Sequence, residues 1–211
     1  MTDERHRGSI ATASEATEPG APHHRTVIEN PLSGERIVIR TGASETGGEL
    51  LAWELLLAPG GRVPSSHAHP EQEERFTILA GRMRFRVGGR RTIAEVGRTV
   101  VVPPGTVHSF ANAGPEPTHV LVETRPALDM QALLETAAAM AREQQAAARP
   151  FPRLLDLMLF MRDFEREVRA PYLPRALVRL VTRTLSGLAR LRGLDARYRR
   201  LRVPGRDAVH R

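Results

Sequence analysis

The stretch PSSHAHPEQEERF, residues 64 to 76, sets His67 and His69 one residue apart and follows them with Glu71, Gln72, Glu73 and Glu74. On extended backbone, residues i and i+2 share a face with about 6.6–6.8 Å of rise between them. Two imidazoles so placed can lean until their donor nitrogens are about 3 Å apart, as adjacent positions on one divalent ion require with bonds near 2.1 Å. Further donors must then come from neighbouring segments. Glu73 and Glu74 both offer an oxygen. If ERFTILA is a strand with Phe76 and Ile78 turned inward, Glu74 shares their face and Glu73 points with Arg75 and Thr77. Another nitrogen is available from His108 in GRTVVVPPGTVHSFAN, just after Pro103, Pro104 and Gly105 turn the chain. The chain has no Cys, which excludes disulfides, thiolate nucleophiles and zinc–thiolate sites and leaves nitrogen and oxygen to hold any ion.

The elements that would carry these residues are short strands. From Arg25 to Val122, apolar and polar residues alternate in runs punctuated by Gly and Pro: RTVIE, GERIVIR, GELLAWELLLA, ERFTILA, RMRFRV, TVVVP and THVLVE. RMRFRVGGRRTIAEVG reads as a hairpin, with Met83, Phe85 and Val87 on one face, Arg82, Arg84 and Arg86 on the other, and a Gly88-Gly89 turn. After Pro126 the pattern changes to helix formers. It predicts three helices, in ALDMQALLETAAAMAREQQAAAR, FPRLLDLMLFMRDFEREVR and RALVRLVTRTLSGLARLRG, broken by Pro171 and Pro174. The division expected is a tail over 1–24 rich in Ala, Glu, Thr and Pro, without the apolar core of a secretory signal and read as disordered, a β-domain over 25–126, and a basic helical extension over 127–211.

Two motifs in the β-domain resemble those of the cupins. Gly61, His67, His69, Glu74 and Gly81 stand at the spacing Gly-x5-His-x-His-x4-Glu-x6-Gly; Gly97, Pro103, Gly105, His108 and Asn112 stand at Gly-x5-Pro-x-Gly-x2-His-x3-Asn. Fifteen residues separate Gly81 from Gly97, similar to small single-domain microbial cupins. The resemblance implies a mainly β fold, a double-stranded β-helix or jelly-roll barrel, here with a C-terminal α-helical extension. It also implies one divalent ion per chain, Fe, Mn, Ni, Co or Zn, held by His67, His69, Glu74 and His108. By resemblance to some cupin dioxygenases, Glu74 is in addition the catalytic proton acceptor. A barrel of this kind can keep its shape around a vestigial site, but here all four positions are intact.

Phe76 and Phe110 each lie two residues beyond a candidate ligand on its own face, so they could wall a substrate pocket, although barrel filling explains them nearly as well. Trp53 and Met83 are core residues first and pocket residues second. His119 reads as a surface or satisfied histidine, and Gly61, Gly81, Gly97, Gly105 and Asn112 as architectural. All 31 basic residues are Arg; residues 149 to 211 hold sixteen of them against six acids. Arg175, Arg179 and Arg183 line one side of a helix opposite Leu177, Leu180, Val181, Leu185 and Leu188, which reads as a solvated face over a stripe buried against the barrel or a second subunit. Few aromatic residues are present to stack bases, so neither nucleic acid nor a membrane surface is the expected partner. The expectation is a cytoplasmic, bacterial homodimer acting on a small molecule. Its activity would be that of a metal-dependent dioxygenase on a phenolic, enediol or diketone-like compound. The alternatives are a non-redox isomerase, cyclase or lyase, and a noncatalytic binder or sensor.

Overall fold

The computed structural model describes residues 26–63, 65–171 and 174–205. The tail over 1–24, with His6, His23 and His24, and also His210 and the side chain of Arg175, lie outside the described residues. Among the described residues the strands are β1 (Val27–Asn30), β2 (Glu35–Thr41), β3 (Leu51–Leu57), β4 (Glu73–Ala80), β5 (Arg82–Val87), β6 (Arg90–Glu95), β7 (Thr99–Val102), β8 (His108–Asn112) and β9 (Thr118–Arg125). They form a six-stranded sheet in the order β1-β2-β3-β9-β4-β7 and a three-stranded sheet in the order β6-β5-β8, antiparallel throughout. Each of the seven predicted stretches holds a strand. The return arm of the Gly88-Gly89 hairpin, β6, and the short β8 complete the set.

Alternation sets the layers. Strand β4 buries Glu74, Phe76 and Ile78, and β5 buries Met83 and Phe85. These side chains meet Trp53, Leu55, Val120 and Val122 in one core between the sheets. Gly88 and Gly89 take φ of 55° and 88°, which lets Val87 pair with Arg90 across a two-residue turn. Gly61 is needed for a different reason: a Cβ there would lie 2.8 Å from both Ala58 O and Leu57 Cδ1.

The extension comprises α1 (Met130–Ala146), α2 (Leu154–Asp163), α3 (Arg175–Leu191) and a short α4 (Ala196–Leu201). The three predicted helices are present, and α4 is an addition. Helix α1 buries Met130, Ala132 and Leu133 and packs on β1; α4 inserts Tyr198, which is 1% exposed. No helix among the described residues is long and apolar enough to cross a membrane.

Helix α3 corrects the expected orientation. It packs on α2, but the side chains it buries are the small ones, Thr182, Ser186 and Ala189. Leu177, Leu180, Val181, Leu185 and Leu188 are exposed, Leu180 by 65%. Small residues at i, i+4 and i+7 let another helix approach closely, so they take the inner face while the larger side chains are left outside. On the helix's third side, Arg183 pairs with Glu165 at 3.2 Å and Arg190 with Asp163 at 2.5 Å. The charged side is solvated as expected, with Arg183 53% and Arg190 47% exposed, and is also tied to acids of the same chain.

Candidate metal centre

The site exists because the first motif runs beside the second. Residues 61–63 and His67 pair with β8: Val63 N donates to Phe110 O (3.2 Å), Asn112 N to Gly61 O (3.0 Å), His67 N to His108 O (3.0 Å), and His108 N to His67 O (2.8 Å). His67 and Ala68 stand in isolated bridges rather than in a full strand. The pairing still sets His67 directly opposite His108, with His69 two residues further on. Gly105 N donates to His69 O at 2.7 Å, which fixes that end of the segment. Glu74 enters from β4 as its first inward residue, while Glu73 turns out to Arg75 at 2.8 Å.

The three imidazoles each offer a nitrogen within 4.8 Å of the others. Glu74 Oε2 lies 3.2 Å from His69 Nε2 and 3.1 Å from His108 Nε2. Neither contact has hydrogen-bond alignment, and all three atoms are buried without a hydrogen-bond partner. The opposite ring nitrogens are engaged by carbonyls: His67 Nδ1 to Ser65 O at 3.1 Å, His108 Nδ1 to Thr106 O at 3.2 Å, and His69 Nδ1 to Glu167 O at 2.5 Å. A carbonyl can only accept, so each Nδ1 carries a proton, and whenever the ring is neutral its Nε2 presents the lone pair. Unpartnered buried nitrogens and a carboxylate oxygen aimed at a common region fit a borderline divalent cation. The three histidines form a group that could hold one.

The electrostatics are those of a cation site. Burial, followed by repulsion from His69 and His108, pushes His67 down to about 3, so its ring is neutral near pH 7. Burial alone would raise the Glu74 carboxyl, but attraction to His69 and then His108 outweighs it and holds Glu74 below the usual carboxylate range. For His69, burial opposes the charge, yet Glu74 and the Glu167 carbonyl more than offset it and raise its affinity for a proton.

Among the expected pocket residues, Phe76 comes nearest: its ring centre is 6.4 Å from that of His108 and 5.3 Å from those of Phe85 and Phe110. Phe110 is the next ring out. Trp53 and Met83, 4% and 0% exposed, belong to the core. His119 pairs with Glu54 at 3.0 Å, away from the histidine group. Asn112 is architectural: its Nδ2 donates to Leu57 O, Ala58 O and Glu116 O, and its Oδ1 accepts from Gly114 N at 2.7 Å.

Two features were missed by sequence reasoning. Glu35 shares the inward face of β2 with Ile37 and Ile39, and its carboxylate accepts from Ser33 Oγ at 2.6 Å. Burial raises its pKa against the pull of that hydrogen bond, and the negative charge of Glu74 adds to the rise. The alternation in ERIVI carries that signal. The second feature, the Glu167 carbonyl on His69, leaves no trace in the sequence because any residue supplies a carbonyl.

Two facing antiparallel sheets, with a histidine and carboxylate cluster turned into the space between them, define a double-stranded β-helix of the metal-site kind. A family model described as a cupin domain matches residues 53–123, so this part of the chain carries a cupin domain. Among solved structures the chain is similar to KdgF from Halomonas sp., at 18% identity over 52% of this chain and 91% of that one, with a TM-score of 0.44. It is also similar to a predicted oxalate decarboxylase from Thermotoga maritima, at 22% identity over 48% and 91% with a TM-score of 0.44. A third is a putative sugar phosphate isomerase from Acidithiobacillus ferrooxidans, at 20% identity over 49% and 69% with a TM-score of 0.41. No curated protein matches the chain.

Proposed function

We propose that the protein is a cytoplasmic, metal-dependent oxidoreductase of dioxygenase type acting on a small phenolic, enediol or diketone-like compound. His67, His69, His108 and Glu74 would hold one divalent ion per chain. The observation that carries this reading is the set of buried Nε2 and Oε2 atoms that converge without hydrogen-bonding one another. Four protein donors would leave room on the ion for a small molecule, and the ion when bound would supply Lewis acidity and a redox path. The chain's own part is to orient three imidazoles through their Nδ1 hydrogen bonds, so that each turns its Nε2 toward the ion. Glu74 would ligate and accept the substrate's acidic proton, while Phe76 and Phe110 present a dry wall to the reacting compound. The test is oxygen uptake by protein loaded in turn with Fe, Mn, Co or Ni, against a panel of such compounds. Metal-dependent uptake supports the reading, and none with any metal or compound removes it.

Glu35 favours a second reading. An inward acid whose pKa is raised by burial suits a non-redox isomerase, cyclase or lyase, in which an ion polarises a carbonyl and a side chain delivers the proton. Turnover by the zinc form under nitrogen would decide for it. Glu35→Gln should then lower kcat about 100-fold or more while the bound metal stays unchanged.

The same reading takes the protein as a homodimer formed through α3. Leu177, Val181, Thr184, Leu188 and Leu191 repeat at alternating steps of four and three, flanked by Leu180 and Leu185, which is the spacing of a helix–helix seam. Because Arg183 and Arg190 are matched by acids of their own chain, the apolar stripe fits a second copy better than an acidic lipid surface. Leu180→Asp with Leu188→Asp should turn a dimer into a monomer in analytical ultracentrifugation and leave the circular dichroism unchanged. A monomeric parent protein, or one that binds anionic vesicles through this stripe, would overturn the assignment.

A further inference from the structure

Helix α2 ends at Asp163, and residues 164–169 then run as a strap back to the barrel, where they touch the metal centre. Ala68, between two of the histidines and 0% exposed, pairs with Arg169 in both directions: Ala68 N donates to Arg169 O at 3.1 Å and Arg169 N to Ala68 O at 2.9 Å. Glu167 O accepts from His69 Nδ1. Arg169 Nη2 donates to Gly105 O at 3.3 Å, and Gly105 N in turn holds His69 O. The strap has its own anchors. Arg166 donates to Glu71 Oε2 through Nε at 3.1 Å and Nη2 at 2.8 Å. Glu167 Oε1 accepts from Asp129 N at the start of α1 (3.2 Å), and Phe164 is 1% exposed in the core.

The three histidines are thus oriented in two ways. For His67 and His108 the accepting carbonyl lies two residues back, so their ring geometry is local to their own turns. For His69 it lies 98 residues away in the helical extension. The barrel carries all the side chains of the centre, yet it does not supply the acceptor that selects the His69 tautomer and ring angle.

We propose that the strap at residues 164–169 is a positioning element of the metal centre, so that metal binding and docking of the C-terminal extension are coupled. This rests on the reading of the histidine group as a metal site. A partner hydrogen bond on a ligating imidazole typically changes metal affinity by about 10–100-fold. Linkage requires the reverse as well: whatever the docked strap adds to metal affinity, bound metal returns to strap docking. The extension is then a means by which contacts at α2 and α3, whose Arg183 and Arg190 grip Glu165 within the strap and Asp163 just before it, reach the ion through His69.

The test uses the full chain with Co(II) as probe. Arg169→Pro deletes the N–H that holds Ala68, and Arg166→Glu sets a like charge against Glu71. Each should weaken Co(II) binding about 10–100-fold and alter the Co(II) visible absorption band, whereas Arg197→Ala in α4 should do neither. In the parent protein, Co(II) should slow hydrogen exchange at the Ala68 and Arg169 amides by about 10-fold more than at amides of α4. This second measurement decides the matter if a variant does not fold. Folded strap variants with parental affinity and spectrum, or equal exchange with and without Co(II), would overturn the proposal and leave the metal site standing. Failure of the parent protein to bind Co(II) or Zn(II) at all would remove the metal reading and the coupling with it.

Discussion

Replacing His108 by alanine should abolish stoichiometric metal binding. The His108 side chain is wholly buried, and its Nε2 has no partner other than the off-axis approach of Glu74 Oε2 at 3.1 Å. Losing the hydrogen bond behind a ligand costs about 10–100-fold in affinity, so losing the ligand itself should exceed 100-fold. The backbone bridge between residues 67 and 108 does not involve the side chain, and the fold should therefore persist. Two measurements check this. Elemental analysis of protein purified without added metal should give about one ion per parent chain and little in His108→Ala. Metal added at about 100 times its dissociation constant should raise the parent's stability by about 2.7 kcal/mol and the variant's hardly at all. An unaltered metal content in the variant would refute the assignment of His108.

The parts of this centre differ in how readable they are, for physical reasons. Glu74 is distinguishable from Glu73 in the sequence because strand alternation fixes a face, and the neighbours Phe76 and Ile78 say which face is inward. The hairpin at Gly88-Gly89 is legible because few residue pairs tolerate two positive φ values. The pairing of residues 61–63 and His67 with β8 is long-range and shows only through the motif spacing. Backbone acceptors are silent altogether, so nothing in EREVR marks Glu167 as the partner of His69. Hydropathy identifies α3 as amphipathic but misassigns its buried side. Close approach to α2 favours Thr182, Ser186 and Ala189, a steric criterion that a hydrophobicity pattern does not contain. Glu35 differs, because the alternation in ERIVI already places it on the face of Ile37 and Ile39, although its charge hides it from a search for apolar residues.

The largest expected loss of stability comes from Phe85→Ala. Phe85 is 0% exposed and pairs across strands with Phe110, their ring centres 6.2 Å apart, and the Phe76 ring stands 5.3 Å from both. Truncating a buried Phe costs about 3–5 kcal/mol through lost transfer energy and the cavity left behind. The paired rings add about 0.5–1.5 kcal/mol. In a chain of this size each kcal/mol lowers Tm by about 2–4 °C, so a fall of about 10 °C or more is expected in calorimetry. Because the side chain lies on β5, in the sheet's core rather than among the donors, the folded variant should still bind Co(II) with near-parental affinity. Phe76→Ala should behave differently. It removes a comparable ring volume, but that ring stands 6.4 Å from His108, so metal affinity should fall together with stability. If both variants lost metal equally, rigidity of the whole core would be holding the donors in place. If only Phe76→Ala did, the ring packed beside His108 would be the local brace, and the remaining aromatic residues would serve the fold alone.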